Sequence, residues 1–301
     1  MLLLTKILRG SKKANERYVG PPNTFSIDTD QIALRLHDGV TPGGKTVIGI
    51  PTPLGLEDDN TIYGLQGSEW VPISTEQAFD AGPGETTPIA GTSEEGYFGE
   101  VPSTDLFTAS ELSLAVGLSK GNITHQDPGW LKFSVFGKTV FVAKKPLRHD
   151  VEWKDIYKAG LVYGVPGPGN VQKGKKVDQL RTVSKNGTTY KVRLLKGAEA
   201  DPTKRDENIY WIPDGDTTSE WGRLMTKIHS ASSEWDNLSN QELGVGWNSP
   251  GSHTLCQETF EKDDKKRVFR SNHDGAFNFF GSVKDKDDGL LIGWRPVLEV
   301  I

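Results

Sequence analysis

Thr217-Thr218-Ser219-Glu220-Trp221-Gly222-Arg223-Leu224-Met225-Thr226-Lys227-Ile228 is the stretch that decides the fold class. Trp221, Leu224, Met225 and Ile228 recur at i, i+3, i+4 and i+7, the spacing of one helix face, behind what reads as a capping box from Thr217 to Glu220. A helix with so continuous an apolar stripe needs a surface to lie on. The segments around it supply strands. Leu131, Phe133 and Val135 share one face, Gly137-Lys138 turns, and Val140–Val142 returns. Leu180–Val183 and Tyr190, Val192 and Leu194 flank Asn186-Gly187, the strongest short-range hairpin signal. Helix and hairpins together predict an α+β domain rather than a pure β-sandwich.

Two further helices are expected. Thr108-Ala109-Ser110-Glu111 is a capping box, Phe107 can staple onto Leu112, and Gly117 stands at the C′ position, so Thr108–Val116 reads as a short helix. Asp150 is expected to cap another that carries Trp153, Ile156 and Tyr157 and closes at Gly160. The last 70 or so residues read as loops rich in Gly, Ser, Asn and Asp. Short strands are placed there around Val268-Phe269, Phe277–Phe280 and Leu290–Ile292, before Gly293-Trp294-Arg295-Pro296-Val297-Leu298-Glu299-Val300.

Composition divides the 301 residues into three zones. Residues 1–50 alternate apolar and polar positions around Phe25-Ser26-Ile27 and Ala33-Leu34-Arg35-Leu36, with Asp38-Gly39 and Pro42-Gly43-Gly44 as turns; Lys12–Tyr18 has the length of a short helix. Residues 51–104 are rich in Gly, Pro, Thr, Ser and acidic side chains and read as a linker, too poor in large apolar groups to offset their ordering entropy. Residues 105–301 form the main domain. Thirty-four glycines, 17 prolines and eight tryptophans describe many turns around a few large anchors.

The net charge of −5 offers no basic footprint for a nucleic-acid backbone, so nucleic-acid binding is not expected. A single cysteine, Cys256, excludes an intramolecular disulfide and a Cys-based zinc site. Met1-Leu2-Leu3-Leu4 is too short for a signal sequence and no apolar run reaches membrane-spanning length, so a protein made in a cytoplasm, without membrane insertion, is expected.

Leu8-Arg9-Gly10, Gly20, Phe25-Ser26-Ile27-Asp28-Thr29-Asp30 and Leu34-Arg35-Leu36-His37-Asp38-Gly39-Val40-Thr41-Pro42-Gly43-Gly44 resemble the N-terminal module of bacteriophage tail fibres and tropism determinants. The resemblance covers roughly the first 45 residues and implies a β-prism-like module that docks on the virion and closes as a trimer. The C-terminal part resembles phage virion domains that end in GWRPVLE and have a C-type-lectin-like fold. Trp153, Glu220-Trp221, Arg223-Leu224-Met225 and Asp288–Leu298 carry that likeness. It implies a last strand that pairs back near the start of the domain, with loops projecting from the far side. The formylglycine-generating enzymes, whose C-type-lectin-like fold this part resembles more loosely, need two thiols, and this chain has one. Calcium-dependent lectins carry a Trp-Asn-Asp strand and a Glu-Pro-Asn loop; here Trp247-Asn248 runs into Ser249-Pro250.

The expected function is that of a non-enzymatic structural protein of a tailed-phage virion: a tail fibre, tail tip, baseplate or other surface appendage. Its partners are other virion proteins and its own copies, and its outer loops contribute to receptor binding on a host-surface glycan or protein. Trp235, Trp247, Asn248, His253, Asn272, His273 and Phe277 are the candidate contact residues; of the aromatics Trp235, Trp247, Phe277, Phe279 and Phe280, most are expected in the core and one or two at an interface. A purely structural neck, baseplate or capsid-surface component is the alternative. A tailspike-like glycan-degrading enzyme is the alternative of another class, with Glu258, Glu261, Asp263 and Asp264 as the carboxylates to pair. No catalytic, cofactor or metal residue is assigned. Gly164, Gly167 and Gly169 approximate a phosphate-loop spacing, but Pro166 and Pro168 remove donors. Asp285, Asp287 and Asp288 miss the calcium-loop pattern, the six histidines miss the two-His metal spacings, and His253 with Cys256 lacks a nucleophile elbow.

Overall fold

A computed structural model describes residues 8–10, 12–19, 24–28, 33–48, 62–66, 69–73, 82–170, 176–205, 218–246, 249–273, 276–284 and 289–301. The chain divides into two compact units, Met1–Gln77 and Ala78–Ile301.

In the first unit β1 (Leu8–Gly10), α1 (Lys12–Arg17), β2 (Thr24–Asp28), β3 (Ala33–His37) and β4 (Lys45–Ile48) follow one another, then the hairpin β5 (Ile62–Gln66) and β6 (Glu69–Ile73). β1 to β4 make one sheet in that order, parallel between β1 and β2 and antiparallel thereafter. The turn between β3 and β4 is set by Asp38, whose carboxylate accepts from the Val40 and Thr41 amides and from the Thr41 hydroxyl at 2.9, 2.7 and 2.6 Å. Those bonds hold its carboxyl well below the usual range. Gly44 then passes so close to Leu36 that a Cβ there would stand 2.6 Å from its carbonyl oxygen. Beneath the turn His37 is buried, bonded to Ser26 Oγ at 2.8 Å and edge-on to Tyr18.

The second unit runs β7 (Ala90–Gly91), β8 (Glu95–Val101), α2 (Ala109–Val116), β9 (Asn122–Ile123), β10 (Trp130–Val135), β11 (Lys138–Ala143), β12 (Arg148–His149) and α3 (Trp153–Lys158). It continues with β13 (Thr182–Lys185), β14 (Thr188–Leu194), α4 (Glu220–Ile228), α5 (Asn240–Leu243), β15 (His253–Thr259), β16 (Lys266–His273), β17 (Ala276–Lys284), β18 (Ile292–Trp294) and β19 (Pro296–Val300). Its class is α+β, mostly strand with few short helices. One sheet is antiparallel, seven strands in the order β13-β14-β19-β11-β10-β8-β7; the other is mixed, six strands in the order β17-β16-β15-β18-β12-β9.

The seven-stranded sheet is buried on both faces. Tyr190, Leu194, Phe141, Trp130 and Leu298 point to one side, where α2, α3 and Leu255, Phe269 and Trp294 of the six-stranded sheet complete the core. Leu131, Phe133, Val135, Val140, Val142 and Val297 point to the other, against Trp221, Leu224, Met225 and Ile228 of α4. All four α4 side chains are fully buried. Nine residues are too few for a helix to persist alone, so α4 is held by this packing, each side chain contributing about 1.5–3 kcal/mol.

Both predicted hairpins are present, and each turns through left-handed residues: Phe136-Gly137 and Asn186-Gly187. The box Thr108–Glu111 and the Gly117 C-cap are formed as read.

Four expectations are corrected. The linker reading of 51–104 fails for its last part, because the compact second unit starts at Ala78 and β8 pairs with β10, burying Tyr97, Phe98 and Val101. Asp150 is not a cap: the fully buried Val151 turns the chain through a left-handed Asp150, and α3 starts after Glu152. α4 is capped by Ser219 alone, which accepts from the Gly222 amide at 3.1 Å, so Glu220 is free to turn inward. Finally, the strands expected around Val268-Phe269 and Phe277–Phe280 are present but longer, as β16 and β17, and the stretch read as loop before them also holds β15.

Glu220 turns toward Arg193. Arg193 bonds both Glu220 oxygens at 2.6 and 2.7 Å and Glu299 at 2.9 Å, while Lys191 holds Glu299 from the other side at 2.9 Å. Burial works against each charge, but the pairing wins: Arg193 is held charged and the Glu299 carboxyl is drawn down to about 2. Removing one member strands a buried charge. Glu220→Gln is expected to lower stability by roughly 3–5 kcal/mol in urea unfolding; an unchanged midpoint would mean that the network is dispensable.

Candidate functional site

Of the expected contact residues, Trp235 and His253 have described side chains, and both are packed inside. Trp235 is packed into the core beside Phe133, ring centroids 6.4 Å apart, with Lys227 Nζ 4.4 Å above it. His253 is buried in β15 and stacks on Phe269 at 4.4 Å. These two are structural, because a loop-rich composition concealed the strand and the cluster that hold them. Asn272, His273 and Phe277 belong to the β16–β17 hairpin by backbone, and their side chains lie outside the described residues, as do Trp247 and Asn248. The aspartates 285, 287 and 288 lie outside them too.

The reactive groups weighed in the sequence are sealed. His253 and Cys256 stand three positions apart on one strand and face opposite sides, His253 toward Phe269 and Cys256 into a cluster with Phe260, Val268 and Phe280. Burial, with Glu258 nearby, pushes the Cys256 thiol well above its ordinary value, the reverse of an activated nucleophile. Gly197 lies flat over it, since a Cβ there would be 2.6 Å from Cys256 Sγ.

Glu258 is 2% exposed, and its carboxyl accepts from the Gly197 amide at 3.0 Å. Burial raises it to about 8, with Asp201 adding in the same direction. Glu261, by contrast, faces solvent. The mixed run that follows ends in Arg267, which is buried with its guanidinium 4.0 Å from the Trp153 ring centre. In the glycine loop the Gly167 amide is taken by Asp178 at 2.9 Å, which leaves that donor unavailable to a phosphate.

An open groove lies elsewhere on the second unit, and no motif marked it. Thr124 and His125 follow β9, Lys145 follows β11, and Asn240 and Gln241 come from α5; Ser249 and Pro250 close the side before β15. Its volume is about 570 Å³. His125 and Lys145 also line an adjoining groove with Asp127, Lys144 and Glu242.

α5 shapes this wall. Ser239 and Glu242 form a complete capping box and Gly244 closes the helix in the left-handed conformation. Ser-x-x-Glu followed by Leu-Gly was a legible signal that the sequence reading missed. Behind the groove Arg295 is fully buried and ties three segments together. It donates to the carbonyls of Ala143 (3.1 Å), Lys144 (2.6 Å) and Leu243 (2.5 Å), and to Thr254 Oγ1 at 3.1 Å. Burial brings its guanidinium down to about 9.

His125 Nδ1 lies 2.9 Å from the Pro146 carbonyl, which can only accept, so Nδ1 carries the proton and Nε2 the lone pair. Burial, then Lys145, Arg295 and His149, hold the ring below its ordinary value against the raising effect of that carbonyl, so it is neutral near pH 7. Lys144 is paired with Glu100 at 2.6 Å.

Among the described residues there is no cluster of His, Cys, Asp and Glu able to hold a metal, and no helix is long and apolar enough to cross a membrane. A scan against protein-family models, a search of curated proteins and a search of solved structures each find no match.

Between the ordinary 4.5 and about 8, folded Glu258 keeps a proton that the unfolded chain releases. This group therefore costs stability as pH rises through that window. Glu258→Gln is expected to be less sensitive than the parent between pH 5 and 8 in urea midpoints. Equal slopes for both proteins would show that Glu258 does not titrate there.

Proposed function

We propose that this chain is a structural protein of a tailed-bacteriophage virion, without catalytic activity, whose second unit is a C-type-lectin-like domain that offers its open groove for attachment. The first unit is the virion-docking and trimerising module. The observation that carries the reading is the placement of the terminal Gly-Trp-Arg-Pro-Val-Leu-Glu segment. β19 enters the middle of the large sheet between β14 and β11, so the end of the chain returns to the second long strand after residue 105. Trp294, Arg295, Val297 and Leu298 are all buried there, and Glu299 joins the Arg193 network.

The sealed state of Cys256 and Glu258 also favours a scaffold role over the glycan-degrading one. A buried thiol with a raised pKa and a carboxyl enclosed beside a backbone amide serve packing better than substrate turnover. In the first unit, short strands with so little apolar surface fit a module completed by neighbouring copies.

Purified phage particles probed with antibodies against the chain, and imaged to side-chain resolution, should contain it in multiples of three. Absence from the particles would sink the virion assignment. Incubating the purified chain with host-surface polysaccharide should release no new reducing ends, and their release would overturn the non-enzymatic reading.

A further inference from the structure

We propose that the groove between His125, Lys145 and α5 is a calcium-independent binding site for an uncharged, hydroxyl-rich ligand of the saccharide class. The proposal rests on the attachment reading of the second unit and names what that unit would hold.

The groove presents polar groups that the fold does not use. His125 Nε2 has no partner among the described residues and is an acceptor, because Nδ1–H is committed to Pro146. Gln241 is exposed and its carboxamide makes no hydrogen bond among the described residues; Lys145 forms no ion pair there. The Asn240 carboxamide is fixed from behind by His229 Nε2 at 2.8 Å, and Thr124 Oγ1 by His149 Nδ1 at 2.9 Å, so the wall is held in place before any ligand arrives. Pro250 adds an exposed apolar ring at the rim.

Three ligand chemistries can be compared against those groups. A carboxylate or phosphate brings only acceptors, and the neutral His125 Nε2 facing it would set lone pair against lone pair. The surrounding charge does not rescue an anion: Lys144 is already paired with Glu100, and Glu242 lies beside Lys144 and Lys145. An apolar ligand would leave Gln241, Lys145 and His125 desolvated and unpaired, at a cost for each. A hydroxyl both donates and accepts. It can give its proton to His125 Nε2 while a neighbouring hydroxyl accepts from Lys145 or Gln241, and a C–H face can lie on Pro250. Adjacent hydroxyls on a ring meet that requirement. Two grooves that share His125 and Lys145, about 570 and 320 Å³ in volume, give room for more than one sugar ring.

Protonation of His125 would convert its acceptor to a donor. A hydroxyl can answer either state, so binding of a neutral sugar should persist as pH falls through the ring's pKa, which lies below 6.5, whereas an anionic ligand would gain affinity there. The other charged or titratable groups around it are Lys144, Lys145, Asp127, Glu242, His149 and Arg295.

The test uses the full chain, in calcium-free buffer at pH 7.5, on an array of immobilised neutral and acidic bacterial oligosaccharides and short peptides. Retention on neutral oligosaccharides is expected. His125→Ala and the exposed Gln241→Ala should each weaken it by on the order of tenfold, as loss of one or two hydrogen bonds implies. Leu114→Ala, on the exposed side of α2, should leave it unchanged. Histidine ¹⁵N spectra should show the Nδ1–H tautomer for His125. Binding to acidic sugars or peptides alone, no binding to any neutral sugar, or binding indifferent to both substitutions would overturn the assignment. The particle labelling described above is a separate readout, so a wrong ligand class and a wrong virion assignment are told apart.

Discussion

The second unit depends on a single guanidinium. Arg193 sits in β14 with its stem on the helix side of the large sheet, fully buried, and Glu220 and Glu299 flank it and hold it charged against burial. Those two carboxylates come from the first turn of α4 and from the last strand. One desolvated cation thus fixes the helix to the sheet and the terminal strand to its neighbour at the same time. The geometry of an Arg fork over a carboxylate is planar and directional, whereas the apolar contacts of α4 would tolerate sliding. The ion network therefore contributes register where hydrophobic burial contributes most of the free energy.

Arg295 does a related task without a counter-ion. Its donors are spent on three backbone carbonyls and one hydroxyl, which draws the β11–β12 connection, the end of α5 and β15 to one point. That point is the floor behind the groove. The walls of the groove are tied from behind to this buried charge, and mostly polar residues line its opening. Farther along β15 the same chain seals a thiol, a protonated carboxyl and Arg270 around the flat face of Gly197, which accepts from Arg270 at 3.1 Å. Cys256 and Glu258 are thus buried, while the groove carries amides, a neutral imidazole and a lysine.

The parts of this arrangement that were legible in the sequence are the local ones. The box at Thr108, the left-handed turns at Gly137 and Asn186-Gly187, and the stripe of α4 each depend on residues within about one or two turns of each other. The same local logic also misled. Asp150 has the right chemistry for a cap, but burial of Val151 decided its conformation; Tyr97, Phe98 and Val101 were diluted by glycine and threonine until the strand they form looked like linker. Trp235 and His253 looked like surface contacts because their neighbours in sequence are polar, whereas their neighbours in space are Phe133 and Phe269.

By itself, then, the sequence determined the α+β class, two hairpins, the two best helices and the lack of a second thiol, since each follows from nearest-neighbour geometry or from counting. Only the tertiary structure decided the strand order, the pairing of Arg193 with a carboxylate 106 positions away, the burial of Glu258, and the convergence of His125, Lys145 and Gln241 on one groove. Strand order and buried ion pairs are long-range, and no periodicity records them. A groove built from three connections and a one-turn helix leaves no contiguous motif to read, because its residues are neighbours only after the chain has packed.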